Sequence, residues 1–432
     1  MLALFDCNSF YCEAERVLRP SLRGVPLVVA SNQDGCVVSR SEEAKALGVR
    51  MGHPVFELKQ LRREAGLVVL SSNFPYYAEI SERVFSLLDG FSPIVERASI
   101  DEAFANCDGL PGDITHRARR MRQRIIDWVG IPCGVGIAST KTLAKLSTLV
   151  SKKAERKPGS YPAHLSQVCN LDTVESAAVS EIMGLTDVSD VWGVGPRLTQ
   201  QLREAGVATA LDLRRLDPAM VRNRWSVVLE RTVLELNGVQ CLNVEDVPSA
   251  RKEIACTRSF ASPVRSLQIL EDAVGDFVQR AAVKLRKQGS VAGQVLVFLR
   301  TSPFRSGPRH TPHAAMQTLE ATNDSRVLTG LALMGLRMIH RVGYDYMKAG
   351  VVLQDLGSES LRQTAFDFDL QDRGSEVMGV VDALNQRYGR GTIGLGGSMV
   401  DRRPVLEDWR PRQNLLTPCY TTRWSDIPVA RA

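Results

Sequence analysis

No stretch of this 432-residue sequence approaches roughly 18 uninterrupted apolar residues, so no membrane-spanning helix is expected. The start, Met1-Leu2-Ala3-Leu4-Phe5-Asp6, has no basic residue, and an acid breaks its apolar run at once, which argues against a secretory signal. Zinc and disulfide frameworks lack their signatures too. Nine cysteines (7, 12, 36, 107, 133, 169, 241, 256 and 419) are odd in number and scattered, and they form no Cys-x-x-Cys pair. Reduced, mostly buried thiols in a cytoplasmic protein are expected. The six histidines form no His-Glu-x-x-His; His310 and His313 share a Pro-containing loop without a neighbouring Cys or carboxylate and read as solvated. The glycine-rich run from Gly391 to Gly397 is not followed by Gly-Lys-Ser/Thr, so it is not a phosphate loop. No internal repeat occurs. The net charge is only +6, too small by itself to name a partner.

What is present is an ordinary globular composition, 44% hydrophobic and 24% charged. The length suits two to four domains at roughly 100–200 residues each. Up to residue 160, short apolar runs alternate with helical patterns. Strands are expected at 2–5, 26–31, 36–39, 67–71 and 133–138, and helices at 39–47, 76–88, 114–129 and 140–154. Residues 94–107 read as two strands around a kink at Asp101-Glu102. A linker is expected at 152–162, a wholly helical region at 165–240 and a second α/β region at 251–357. Residues 358–370 are polar with interleaved Phe, and the last sixty residues are rich in Arg, Gly and Pro. The fold class is α/β and multidomain.

Charge is concentrated. Over residues 251–350 fifteen Lys and Arg face seven Asp and Glu, an excess larger than that of the whole chain. A basic module beside a near-neutral remainder is the footprint of a polyanion binder. Acids cluster elsewhere: Asp6 ends the first strand, and Asp101 and Glu102 sit between two later apolar runs. If these strands are neighbours, three carboxylates converge at one sheet edge, and their repulsion favours a hard divalent cation such as Mg²⁺. Taken singly, Asp101 is equally a turn residue and Asp6 a cap. A third pattern is Val191-Trp192-Gly193-Val194-Gly195-Pro196-Arg197, helical to Ala205, then Gly206-Val207 and Asp212-Leu213. It resembles a helix-hairpin-helix, in which backbone N–H groups near Gly193 and Gly195, with Arg197, grip a DNA phosphate without reading sequence.

Four motifs occur in order along the chain. They are Asp6-Cys7-Asn8-Ser9-Phe10-Tyr11; Ser99-Ile100-Asp101-Glu102-Ala103-Phe104; Gly134-Val135-Gly136-Ile137-Ala138 with Thr140-Lys141-Thr142-Leu143-Ala144-Lys145; and the hairpin. Together they resemble the Y-family, or translesion, DNA polymerases. Within that family, Asn32-Gln33-Asp34-Gly35-Cys36-Val37-Val38 and Glu43-Ala44-Lys45-Ala46-Leu47-Gly48-Val49 are similar to the UmuC subgroup. So are Thr257-Arg258-Ser259-Phe260, Lys348-Ala349-Gly350-Val351 and Thr421-Thr422-Arg423-Trp424. The resemblance runs nearly end to end. It implies a right-hand polymerase with a palm at 1–18 and 74–165, small fingers at 19–73 and a helical thumb at 166–240. An α/β little finger at 247–357 would follow, then a clamp- or partner-binding linker and C-terminal tail at 358–432. The implied activity is error-prone, template-directed transfer of dNTPs to a primer 3′-hydroxyl opposite damaged bases, in the SOS response.

By position, the resemblance makes Asp6, Asp101 and Glu102 catalytic, holding two Mg²⁺ ions with the carbonyl of Cys7 as a further ligand. Tyr11 would be the steric gate that excludes a 2′-hydroxyl, and Arg40, Lys45 and Lys152 would meet the triphosphate. Gly193, Gly195, Arg197 and Arg258 would contact DNA. Gln363, Phe366 and Phe368 would dock into the sliding clamp, although Phe366 stands where Leu is usual. Many relatives carry Tyr three residues before the position of Lys45; here Glu42 stands there, and the UmuC subgroup commonly lacks that Tyr too. Expected partners are primed template DNA, dNTP, a UmuD-like dimer, RecA and the sliding clamp, with no membrane. The expected location is cytoplasmic, at the nucleoid when acting. Two other readings remain open: another two-metal palm enzyme, such as a nucleotidyl cyclase, and a non-catalytic DNA-bound repair scaffold. The first has no use for the hairpin and the basic module, and the second none for the carboxylates.

Overall fold

The computed structural model describes residues 1–245, 249–361, 373–389, 391–394 and 413–429. The chain divides into two units, Met1–Pro248 with Gln413–Ala432, and Ser249–Arg412. In the first, β1 (Leu2–Cys7) and α1 (Phe10–Leu18) precede β2 (Leu27–Ala30), β3 (Val37–Arg40), α2 (Glu42–Ala46), α3 (Lys59–Glu64) and β4 (Val68–Ser71). Next come α4 (Phe74–Asp89), β5 (Val95–Arg97), β6 (Glu102–Asn106), α5 (Ile114–Val129), β7 (Cys133–Ala138), α6 (Lys141–Arg156) and β8 (Val168–Asn170). Helices α7 (Ser176–Leu185), α8 (Pro196–Glu204), α9 (Ala210–Arg214), α10 (Pro218–Arg224) and α11 (Val227–Leu236) follow.

Two sheets organise this unit: a small one in the order β3-β2-β4, and a five-stranded one in the order β5-β6-β1-β7-β8. The central strand β1 is antiparallel to both neighbours, with Asp6 opposite Glu102 on one side and Gly134 on the other. Alternation along β1 sorts its two faces. Ala3, Phe5 and Cys7 pack with α4 and α5, whereas Leu4 packs with Phe104 and α6. Asp6 is in phase with Leu4 and so emerges on the α6 side. Helix α6 lies tight on β7 because Gly136 has no side chain: a Cβ there would collide with the Ala144 carbonyl and the Thr148 amide.

Three expectations change. Residues 152–156 continue α6 instead of opening a linker. Val168–Asn170 pairs in parallel with β7, so the region 165–240 is not wholly helical; a three-residue edge strand is too short to show a period. The helix expected from residue 39 begins at Glu42, since Val37–Arg40 is a strand and the Ser41 side chain caps the helix by accepting from the Ala44 N–H.

In the second unit β9 (Ile254–Val264), α12 (Leu267–Lys287), β10 (Ser290–Thr301), β11 (His313–Thr322), α13 (Ser325–Ile339) and β12 (Tyr346–Ser358) are followed by α14 (Arg373–Tyr388). The sheet order is β11-β10-β12-β9, antiparallel throughout. Val295, Val297, Leu299, Ala349, Val351 and Leu353 bury one face against α12 and α13. The alternate residues, including Phe298, Arg300 and Lys348, lie on the other face. No described helix is long and apolar enough to cross a membrane, and all nine cysteines are free.

Candidate active site

Pairing of β1 with β6 brings the three singled-out acids to one sheet edge. Asp6 and Glu102 are cross-strand partners, and the Cys7 N–H donates to the Asp101 carbonyl at 2.8 Å. Each carboxylate is engaged. Lys152 Nζ stands 2.7 Å from Asp6 Oδ1, Lys145 Nζ 2.5 Å from Glu102 Oε2, and Ser99 Oγ donates to Asp101 Oδ1 at 2.5 Å. Both lysines come from α6, seven residues or about two turns apart, and so share one helix face. Lys152 reaches Asp6 past Gly134, where a Cβ would stand only 2.5 Å from Lys152 Cγ. The buried Cys7 thiol is pushed well up, first by burial, with Cys133, Asp6 and Asp101 adding to it.

Hard carboxylate oxygens that already hold ammonium groups at contact distance are a donor set that fits a hard divalent ion. Among the described residues no three His, Cys, Asp or Glu side chains are gathered around one point. Forming a ligand set therefore requires Lys152 and Lys145 to yield Asp6 and Glu102.

A cavity of about 430 Å³ opens beside this edge, lined by Tyr11, Arg40, Lys45, Asp101, Lys152 and Arg156 among others. Five of these six were singled out in the sequence; Arg156 was not. The Tyr11 ring stacks on Tyr77, 4.6 Å between centroids with planes 18° apart, and Phe74 meets it edge-on at 5.7 Å. Burial, and then the nearby Asp101 carboxylate, raises the Tyr11 hydroxyl above its usual value. Ser9, just before α1, holds a left-handed φ of 45° and receives a hydrogen bond from Lys45 Nζ at 3.1 Å. The same ammonium lies 2.7 Å from Glu42 Oε1, and Arg156 Nη1 meets that oxygen at 3.1 Å. Arg40 is turned aside: Nη1 donates to the Val49 carbonyl at 2.5 Å, and its buried Nε has no hydrogen-bond partner among the described residues.

The candidate DNA contacts fall in separate places. Gly193 adopts a left-handed φ of 88°, and Gly195 caps α8 with Pro196 at its first position. Gly193, Gly195 and Arg197 are exposed together on this hairpin. It adjoins the acidic edge, since the Trp192 ring lies 5.6 Å from Lys145 Nζ. Arg258 pairs opposite the buried Ala349, which places it on the helix-covered side of its sheet. The other side carries Arg300 opposite Lys348, with the Arg300 guanidinium 5.2 Å from the centre of the Phe298 ring. Neither basic residue had been named as a DNA contact, though alternation about Val297 and Val351 marks both. Gln363, Phe366 and Phe368 lie outside the described residues.

Comparison with known proteins agrees along the chain. The impB/mucB/samB family model matches residues 5–149, the model of that family's C-terminal domain matches 251–366, and a domain of unknown function (DUF4113) matches 375–430. Protein ImpB of Salmonella typhimurium is 40% identical over 100% of both chains, and protein UmuC of the same species 40% identical over 99% of both. Protein MucB of Escherichia coli is 36% identical, covering 100% of this chain and 99% of that one. Among solved structures, a Y-family DNA polymerase chimera superposes with a TM-score of 0.63 at 20% identity, covering 83% of this chain and 100% of that one. The insertion ternary complex of Dbh DNA polymerase gives 0.55 at 20% identity with the same coverage. These structures share the fold, and the family relationship implies dependence on a divalent metal. The chain belongs to the impB/mucB/samB family and is a UmuC-like member of the Y-family DNA polymerases.

Proposed function

We propose that this chain extends a primer 3′-hydroxyl with dNTPs under template direction, opposite damaged bases. The observation that carries it is the convergence of Tyr11, Arg40, Lys45, Asp101 and Lys152 on one cavity beside Asp6 and Glu102. Relatives named DNA polymerase IV, one of them 26% identical over 90% of this chain, support the activity. Asp6, Asp101 and Glu102, with the Cys7 carbonyl, would hold two Mg²⁺ ions, which when bound acidify the 3′-hydroxyl and neutralise the leaving pyrophosphate.

The chain's own residues do the rest. Lys45, Lys152 and Arg156 supply positive charge to the triphosphate, with Arg40 at the rim of the same cavity. Tyr11, backed by Tyr77, closes the space where a 2′-hydroxyl would sit. Backbone N–H groups near Gly193 and Gly195, with Arg197, hold backbone phosphates, and Arg258, Arg300 and Lys348 add basic contacts in the second unit. Residues 1–18 and 74–165 act as palm, 19–73 as fingers, 166–240 as thumb and 247–357 as little finger. Residues 358–432 form the tail, whose Gln363, Phe366 and Phe368 engage a sliding clamp. A UmuD-like dimer and RecA complete the cytoplasmic assembly.

Primer extension by the full chain, compared with Asp101→Ala, is the test. Loss of extension is expected, and unchanged extension refutes the assignment. Product formed equally without primed template would point to a nucleotidyl cyclase. Repeating the assay over a lesion, with and without the partners and the clamp, tests the finer reading.

A further inference from the structure

Residues 413–429 have no part in that chemistry, and they fall within the match to a domain of unknown function. They nevertheless pack into the unit that holds the cavity. The Ser71 N–H donates to the Leu415 carbonyl at 2.9 Å, and the Leu415 N–H returns to Ser71 Oγ at 3.0 Å. Asn73, the cap of α4, donates from Nδ2 to Thr417 Oγ1 at 3.1 Å and to the Pro418 carbonyl at 3.3 Å. The Tyr420 ring meets Tyr76 edge-on at 5.6 Å.

The chemistry centres on Glu15. This carboxylate on α1 is fully buried, an arrangement that is costly unless directional partners fix it. Its Oε1 accepts from Tyr77 Oη at 2.7 Å and from Thr417 Oγ1 at 3.1 Å. Tyr77, also fully buried, is the ring on which Tyr11 stacks. A continuous path of contacts thus runs from Thr417 through Glu15 and Tyr77 to Tyr11. A single oxygen distinguishes a ribose from a deoxyribose, so a gate ring must be held to within a fraction of an ångström.

We propose that residues 413–420 position the sugar gate: Thr417 orients Glu15, Glu15 holds the Tyr77 hydroxyl, and Tyr77 sets the plane of Tyr11. This rests on the reading of Tyr11 as the gate. Thr417, Glu15 and Tyr77 are positioning residues, and none of them needs to touch the nucleotide.

Single-nucleotide incorporation by the full chain, comparing a dNTP with its rNTP, tests this. Thr417→Val removes the hydroxyl at constant shape, and Tyr77→Phe keeps the ring but cuts its bond to Glu15. Each should lower the dNTP-over-rNTP ratio of kcat/KM about three- to tenfold, which is what one hydrogen bond is worth. The double variant should be no worse than either single one, and Thr417→Ser should retain selectivity. If Thr417→Val does not fold, Tyr77→Phe reads the same link from its other end. A general loss of activity slows both nucleotides equally, and that result overturns the proposal. Tyr11→Ala separates the two levels. Unchanged selectivity there refutes the gate reading itself; lost selectivity there with none lost in Thr417→Val and Tyr77→Phe refutes only the brace.

Discussion

Glu42 Oε1 is shared by Lys45 Nζ at 2.7 Å and Arg156 Nη1 at 3.1 Å. On the proposed reading of the cavity, an incoming triphosphate would take both cations from this carboxylate. Replacing Glu42 by Gln keeps the shape and removes the competing charge. The Glu42 side chain is 50% exposed, so each pair is worth about 0.2–1 kcal/mol, not the value of a buried ion pair. Releasing two such pairs, about 0.4–2 kcal/mol, corresponds to a KM for dNTP about two- to thirtyfold lower. The turnover number should change little, because neither pair is made only in the transition state. A small stability loss is expected, about 0.3–1 kcal/mol, since Glu42 also places negative charge in the first turn of α2. Steady-state single-nucleotide extension over a range of dNTP concentrations measures this. The gain should shrink at high salt, where exposed pairs are already screened. A KM that stays constant or rises in the Gln variant would refute the competition.

Three further outcomes follow from the same geometry. Gly134→Ala drives a Cβ into Lys152 Cγ; at about 1–3 kcal/mol of overpacking, extension should fall at least about tenfold while the thermal midpoint drops only a few degrees. Arg300→Ala and Lys348→Ala should each weaken binding of primed DNA and lower the slope of log affinity against log salt by about one, whereas Arg258→Ala, on the helix-covered side, should change it less; fluorescence titration at several salt concentrations decides. Burial raises the Glu15 carboxyl, so the fold favours its neutral form, and its ionisation lowers stability as pH climbs above the ordinary glutamate value of 4.5. The thermal midpoint of Glu15→Gln relative to the natural chain should therefore rise between about pH 4.5 and pH 7.5, and a pH-independent difference would refute that cost.

Local pattern carried much of this architecture. The short apolar run Leu2–Phe5 and the helical period of Ile114–Val129 mark elements that the structure contains. The acidic edge was legible only as a condition, that the strands be neighbours, because Asp6 and Glu102 pair across most of a hundred residues of intervening chain. Arg156 was lost to the linker reading of residues 152–162. Once α6 is followed to its end, Arg156 lies four residues past Lys152, one turn along the same face. Val168–Asn170 was too short to announce a strand. The packing of Leu415–Tyr420 left no trace in pattern, since an irregular segment buried by distant partners has no period to read.

The bond from Thr417 to Glu15 joins residues 402 positions apart, and that separation is also an interval in time. Ribosomes add roughly 5–20 residues per second, so α1 emerges some twenty to eighty seconds before the threonine that completes its buried carboxylate. Once Arg156 has been added, a nascent chain carries every acid and cation of the cavity while Glu15 still lacks one of the two hydroxyls that its Oε1 accepts from. If residues 413–420 brace the gate as proposed, sugar discrimination is the last property of the cavity to be installed, and a message cut short before residue 413 encodes its reactive groups without that brace.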